Sequence, residues 1–154
     1  MNIIGLDKNK TQALIKELNI LLANYQVFYM NVRGFHWNIK GENFFELHAK
    51  FEELYDDLLV KIDEVAERIL TLGDEPVHTF SDYLENAEIE EAKSVSEDKK
   101  SVKLLLEGFQ KLLKIQRNIL QLSDEAEDEG TNALMSDYIR EQEKLVWMYA
   151  AYLK

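Results

Sequence analysis

Five side chains with metal-binding chemistry lie in one stretch of the sequence, between residues 34 and 70. They are two imidazoles and three carboxylates: His36, His48, Glu52, Asp63 and Glu67. Such a mixed set suits a borderline divalent ion such as Fe²⁺, and Zn²⁺ or Mn²⁺ can also accept it. Apolar residues recur at helical spacing around them, so these polar groups lie on the side of a helix where a core stripe is expected.

An α-helix would place four of these side chains on one face. His48 and Glu52 are four residues apart, as are Asp63 and Glu67, and the helical rotation puts all four within an arc of about 100°. The two pairs are nevertheless separated along the helix by fifteen residues, a rise of about 22 Å. Since a metal ligand lies about 2 Å from its ion, one copy of the helix cannot close a site with all four.

A second copy of the helix would bring the two pairs together. Two such helices set antiparallel across a two-fold axis near residues 56–59 bring the His48 end of one chain to the Asp63 end of the other. His36 lies just before the preceding turn and can fold back towards His48. Three ligands then come from one subunit and two from its partner. Each pair alone is more often an ordinary core or surface feature, and the combination is what indicates a metal site.

The composition predicts a helical and acidic protein around this site. The chain has 154 residues, 46% hydrophobic and 31% charged, which suits a single domain over residues 1–154. One proline and six glycines favour long helices over a many-turned β fold. The formal net charge of −11 attracts cations and repels phosphate backbones, so DNA binding is not expected.

Cysteine content and hydropathy bear on the cellular compartment. The chain has no cysteine, which excludes disulfides and thiolate metal sites and fits a reducing compartment. The first residues show no basic segment followed by an apolar one, so no signal peptide is predicted. The longest uncharged run, residues 18–32, is too short and too rich in Asn and Gln to span a bilayer. We therefore expect a cytoplasmic protein without membrane contact.

Four long helices are predicted to position the candidate ligands. They run from about Asp7 to Phe35, from just after Gly41 to Gly73, from about Ser96 to Leu122, and from about Thr131 to Leu153. Asp7 is expected to cap the first helix, and Ser94 or Ser96 the third. The long connection at residues 71–95 has room for a short helix near Ser81–Ala87, whereas the other connections are short. This pattern predicts an all-α, ferritin-like four-helix bundle with one long crossover.

The same stretch resembles the signature of the Dps family, the mini-ferritins of twelve subunits. The matching residues read H-W-N-I-K-G-x-x-F-F-x-L-H-x-x-F-E-x-L-Y, followed by D-E-V-A-E-R. The resemblance implies a dodecameric shell built from two-fold dimers. It also implies that His36, His48, Asp63 and Glu67 bind iron at the dimer interface, and that Glu52 occupies a position with an acidic ligand, often Asp.

The activity implied by the resemblance is that of a ferroxidase. Hydrogen peroxide, or more slowly dioxygen, would oxidise Fe²⁺ at the interface, and the ferric product would mineralise in an inner cavity and so protect against oxidative damage. Trp37 matches a tryptophan beside the site that quenches oxidising intermediates, and a large core aromatic is the alternative interpretation of this residue. Zinc or manganese can substitute for iron in such a ligand set.

Two other functions and two other motifs stay open at this point. Many members of the family coat DNA with a basic tail, but only Lys8 and Lys10 lie near the start of this chain. A zinc-binding structural assembly without redox turnover is the second alternative. The acidic residues Asp124, Glu125, Glu127, Asp128, Glu129 and Asp137 could line a pore or form a solvated loop. His78, in an E-x-x-H sequence that contains a proline, is predicted to lie in a loop and not to bind metal.

Overall fold

The computed structural model describes residues 1–154 as five α-helices without a β-strand. The helices are α1 (Lys8–Asn38), α2 (Phe44–Leu72), α3 (Phe80–Asn86), α4 (Asp98–Glu125) and α5 (Glu129–Tyr152). The predicted four long helices and the short helix of the crossover are confirmed, with ends that differ by a few residues. No helix combines the length and the apolar character that crossing a membrane requires.

Two local signals fix the ends of the helices that carry the candidate ligands. The Asp7 side chain accepts hydrogen bonds from the backbone N–H groups of Asn9 and Lys10, as predicted for a cap of α1. Gly73 ends α2 in a left-handed conformation with φ +97°, which costs glycine little because it has no Cβ. α2 is unbroken from Phe44 to Leu72, so the helical rise of about 1.5 Å per residue gives the distance between the two ligand pairs.

One buried cluster joins the long helices into a bundle. α1 packs against α2, α3 and α4, and α4 packs against α5. The cluster draws on all four long helices and includes Leu14, Leu18, Phe28, Leu58, Ile69, Leu105, Phe109, Leu112 and Met135. Each such side chain contributes about 1.5–3 kcal/mol when fully buried.

The crossover between α2 and α4 is held on α1 by asparagine side chains. The Asn24 side-chain oxygen accepts from the N–H groups of Glu88 and Ile89. Asn31 accepts from one crossover N–H group and donates to a crossover carbonyl. Asn19 accepts from the N–H of Val77. These bonds satisfy backbone groups that no helix pairs, and they explain why an otherwise apolar stretch of α1 carries so many amides.

The start of α4 differs from the prediction. We expected Ser94 or Ser96 to cap it, but the residue before the helix is Glu97, and its side chain makes no capping bond. Ser94 instead has a positive φ of 58° within the crossover. Asp98 is bound by the side chains of Asn43 and Tyr152, so long-range contacts rather than a local capping box fix this end of the helix.

Candidate metal centre

The two histidines of the predicted site lie together within one protomer. His36 is in the last turn of α1 and His48 is in the second turn of α2, so the short connection between the helices folds one onto the other. Their rings are stacked, with centroids 3.8 Å apart and planes 14° from parallel. The sequence prediction that His36 folds back over the start of the second helix is confirmed.

Reciprocal hydrogen bonds fix the protonation pattern of both rings. Nδ1 of His36 lies 2.7 Å from the backbone oxygen of His48, and Nδ1 of His48 lies 2.7 Å from the backbone oxygen of His36. A carbonyl oxygen can only accept, so each Nδ1 carries the proton and donates it. In the neutral ring Nε2 then holds the free lone pair. This is the arrangement in which a protein prepares imidazole for a metal, with the other nitrogen bound to a backbone carbonyl.

Aromatic neighbours hold the histidine pair in place. Phe44 stacks on the outer face of the pair, with its ring centroid 4.9 Å from that of His48. Tyr55 meets His36 edge to face at 5.2 Å. Because both rings are bonded through Nδ1 and packed by neighbours, little freedom remains to be lost when Nε2 binds an ion.

Glu52 lies one turn after His48 on the same helix, and one contact positions its carboxylate. The Tyr55 hydroxyl donates to Oε1 of Glu52 at 3.2 Å. Burial, and then this hydrogen bond, raise the pKa of Tyr55 above its ordinary value, so the hydroxyl stays protonated and donates. Glu52, His48 and His36 lie at one end of α2, as predicted, but they do not come together as a three-ligand group within the protomer.

Asp63 and Glu67 lie on the same helix but at its other end. Both are exposed, and neither carboxylate is ion-paired within the protomer. α2 is continuous, so the Asp63 turn remains about 22 Å from the His48 turn. Within one protomer, no three His, Asp or Glu side chains come together as a group that could hold a metal ion.

The ligand candidates flank the core stripe of α2 instead of lying within it. The buried stripe includes Leu54, Leu58, Ile62 and Val65, whereas the three carboxylates point away from the bundle. Leu59, midway between the two pairs on their own face, is 52% exposed. A single exposed leucine is common on a protein surface, so Leu59 supports a contact here only in combination with the candidate ligands on either side of it.

Trp37 lies on the surface beside the histidines. Its side chain is 58% exposed in the protomer, so the alternative interpretation of a core aromatic is wrong. The guanidinium carbon of Arg33 lies 4.9 Å from the Trp37 ring centroid and 4.5 Å from that of Tyr55, and Arg33 donates to the Tyr29 hydroxyl at 2.9 Å. Sequence reasoning missed Arg33, although its spacing of four residues from both Trp37 and Tyr29 on one helix was an available signal.

The centre of the bundle offers no ligand set of this kind. Tyr25, Gln116 and Gln142 close a ring of three buried hydrogen bonds there, and all three are neutral. Nearby, the buried ammonium of Lys61 is bound by Asp57 and Glu141. Ferritin-like di-iron sites inside a bundle use Glu and E-x-x-H ligands from facing helices, whereas the hydrogen-bonded groups at the centre of this bundle are amides, a phenol and a paired cation.

The acidic turn and His78 have other surroundings. Asp128 is buried, caps α5 through the N–H of Thr131, and pairs with Arg68 at 2.6 Å, so it cannot line a pore. The other acidic residues proposed for a pore are exposed. His78 lies in the loop between α2 and α3, as predicted, and its polar contacts are with the Pro76 carbonyl and the Glu75 carboxylate.

Known proteins share this chain's sequence and fold over nearly its full length. The ferritin-like domain family matches residues 15–154. A DNA protection during starvation protein from Porphyromonas gingivalis is 45% identical over 152 residues, covering 99% of this chain and 96% of that protein. The crystal structure of the Dps protein from Vibrio cholerae O1 has a TM-score of 0.98 and 62% identity, covering 100% of this chain and 97% of its own. The chain belongs to the Dps family.

Membership confirms the resemblance found in the sequence. A Haemophilus influenzae protein without an assigned function is also similar, at 57% identity over 148 residues, 96% of this chain and 92% of that protein. The Vibrio cholerae Dps protein is described as a member of a broad superfamily of ferritin-like diiron-carboxylate proteins. The ferritin-like bundle with one long crossover, predicted from helix lengths and connections, is therefore the Dps fold.

Proposed function

We propose that this Dps protein is a cytoplasmic ferroxidase and iron store whose reactive sites are shared between two subunits. Hydrogen peroxide, or more slowly dioxygen, oxidises Fe²⁺ there, and the ferric product accumulates in a hollow shell. The observation that carries the proposal is that one unbroken helix carries candidate ligands towards both of its ends. His48 and Glu52, with His36 beside them, are called the first half-site, and their imidazoles are held through Nδ1. Asp63 and Glu67, whose carboxylates have no ion-pair partner, are called the second half-site.

A two-fold pairing of α2 with its copy completes each site. An axis near residues 56–59 places His36, His48 and Glu52 of one subunit opposite the partner's Asp63 and Glu67, and it does so twice. The same contact would cover Leu59, which is exposed in the isolated protomer. Burial of Leu59 from both subunits would also stabilise the pairing by about 1 kcal/mol or more for each side chain.

The ligand set fits Fe²⁺ as a substrate. Neutral imidazoles favour the borderline Fe²⁺ ion, whereas carboxylates favour the harder Fe³⁺ product. The net charge of −11 draws cations to the protein before any specific contact is made. Zinc or manganese would occupy the same ligands without the same redox chemistry, so either should compete with iron.

Trp37 has a separate proposed role as a sacrificial electron donor. It lies at the surface beside His36, and the Arg33 guanidinium stacks on its ring. An oxidising by-product formed near the site would take one electron from the indole and be reduced. Damage would then stop at one aromatic ring and would not spread through the bundle.

Assembly into a shell of twelve subunits is part of the proposal, and iron would need an entrance. The exposed acidic residues near the α4–α5 connection are the candidates for that entrance: Asp124, Glu125, Glu127, Glu129 and Asp137. A row of carboxylates at a narrow opening concentrates divalent cations relative to bulk solvent. Measuring the particle mass in solution tests the assembly directly.

Peroxide-driven iron oxidation tests the site. The wild type should be compared with the double variant His36→Ala, Asp63→Ala, which removes one ligand from each half-site, and a large loss of rate is expected. A matched control is His78→Ala, Asp74→Ala, which removes the same residue types from an exposed loop. Equal rates of iron oxidation for the wild type and the His36→Ala, Asp63→Ala variant would rule out the proposed site.

Two other functions are separated from this one by simple measurements. DNA binding is not expected because the acidic surface repels phosphate, and a gel shift at physiological salt and low Mg²⁺ checks it. A purely structural zinc assembly is the other alternative. Metal analysis of protein purified under iron-replete conditions distinguishes it, because zinc that iron cannot displace would favour the structural role.

A further inference from the structure

Glu52 needs a partner that fixes its carboxylate. It is an exposed glutamate on a helix surface, and such a side chain samples several rotamers, which costs free energy when a metal selects one of them. The two histidines at this end of α2 are already fixed by backbone hydrogen bonds. Only one contact within the protomer holds Glu52, the hydrogen bond from the Tyr55 hydroxyl at 3.2 Å.

Tyr55 is itself rigidly held. Its side chain is buried, its ring is packed edge to face against His36 at 5.2 Å and against Tyr29 at 6.1 Å, and Arg33 stacks on its face. Arg33 is in turn fixed by its hydrogen bond to the Tyr29 hydroxyl. Tyr55 is therefore a rigidly held side chain that contacts two of the three candidate ligands of this half-site, His36 and Glu52.

We propose that Tyr55 is a positioning residue of the metal site, which orients the Glu52 carboxylate towards the ion through the Oη–Oε1 hydrogen bond. With Oε1 bound to the hydroxyl, Oε2 is left as the oxygen that meets the metal. The inference rests on the proposed function, since it assumes that Glu52 is a ligand. Loss of an outer partner of this type lowers metal affinity about 10–100-fold.

The length of the Glu52 side chain makes the inference testable. The hydroxyl reaches a glutamate three positions earlier on the helix, and a carboxylate one methylene shorter would fall short of it. Tyr55→Phe should therefore matter when residue 52 is glutamate and should matter little in a Glu52→Asp background. A role of the ring in packing His36 would instead be independent of residue 52, because Phe keeps the ring.

The experiment is a double-mutant cycle with Co²⁺ as the probe on the assembled protein. We expect Tyr55→Phe to weaken Co²⁺ binding about tenfold and to change the d–d spectrum, with less than about a twofold further loss in the Glu52→Asp background. Tyr83→Phe, which removes an equivalent hydroxyl bond from the crossover, is the matched control and should bind Co²⁺ as the wild type does. Melting temperatures verify that each variant is folded.

The outcomes separate this inference from the proposed function. Equal loss from Tyr55→Phe in both backgrounds, or no loss in either, would overturn the positioning role. If His48→Ala and Asp63→Ala abolish Co²⁺ binding while Tyr55→Phe does not change it, only the inference fails. If neither His48→Ala nor Asp63→Ala changes Co²⁺ binding or iron oxidation, the proposed function fails with it.

Discussion

Mixing two inactive variants should restore iron oxidation if each site takes ligands from two subunits. One variant, His48→Ala, Glu52→Ala, lacks the first half-site, and the other, Asp63→Ala, Glu67→Ala, lacks the second. Each alone should lose at least about 100-fold in rate, because even the loss of outer partners costs 10–100-fold. In a mixed dimer, each subunit carries a different variant. At one of the two sites, an intact first half-site then meets an intact second half-site.

The expected recovery follows from the two-fold geometry. Random pairing at equal amounts makes about half of the dimers mixed, and each mixed dimer has one intact site out of two, so about one quarter of the wild-type sites should return. A site built within one chain would recover nothing. The separation of about 22 Å along the continuous α2 helix is what makes the first outcome the expected one.

The assay compares initial rates of peroxide-driven Fe²⁺ oxidation in particles co-expressed from two differently tagged chains and purified through both tags. Selection through both tags removes particles made of one variant only, and the rate is then scaled to the measured subunit ratio. The matched control mixes His48→Ala with Glu52→Ala. Both changes lie in the same half-site, so no mixed dimer gains an intact one. Mixed particles that form but show no more activity than this control would refute the shared-site geometry.

Three further expectations concern stability and are checked by chemical denaturation. Gly108→Ala should destabilise by about 1–3 kcal/mol because its Cβ would lie 2.5 Å from a core phenylalanine ring atom, whereas Gly34→Ala has nothing within 4 Å and should stabilise by about 0.5–1 kcal/mol. Asp128→Ala should cost about 3 kcal/mol by removing a helix cap and a buried ion-pair partner, whereas Glu129→Ala should cost less than about 1 kcal/mol. Burial lowers the pKa of Lys61, but hydrogen bonds to two carboxylates outweigh burial and raise this pKa above 10.5. The charged Lys61 should therefore stabilise the folded protein below pH 10.5, and this stabilisation should be lost as the pH rises further. The Lys61→Met variant should not show this loss.

Repeating patterns in the sequence were sufficient to predict the bundle. The apolar spacing of α2 and its left-handed end at Gly73 are local properties, and the long connection before α4 follows from the distance between apolar runs. The placement of His36 over His48 was predictable because a short turn must bring the end of one helix onto the start of the next. The same logic failed at the start of α4, where contacts from distant residues replace a local cap.

The finer features of the site depend on contacts that no spacing rule describes. The proton position on each histidine follows from a backbone carbonyl of the other helix, which has no signature in the sequence. The bond between Tyr55 and Glu52 has helical spacing, but such spacing is common and indicates nothing by itself. The stacking of Arg33 on Tyr55 requires α1 and α2 to lie side by side, and so it depends on the assembled bundle.

The two polar regions of the protomer have opposite consequences for metal binding. In the bundle centre, Tyr25, Gln116 and Gln142 form hydrogen bonds with one another. The Lys61 ammonium forms an ion pair with the Asp57 carboxylate. The fold is therefore complete without a metal. On the outer face of α2, Asp63 and Glu67 have no ion-pair partner within the protomer, Glu52 is held only by the Tyr55 hydroxyl, and each imidazole is bound through Nδ1 alone. Under the proposed function, a second copy of the helix would complete this surface. If the proposed function holds, stability and reactivity are separated in space, and a protomer would fold before it could react. Under the proposed function, iron oxidation would then begin only once two subunits have paired.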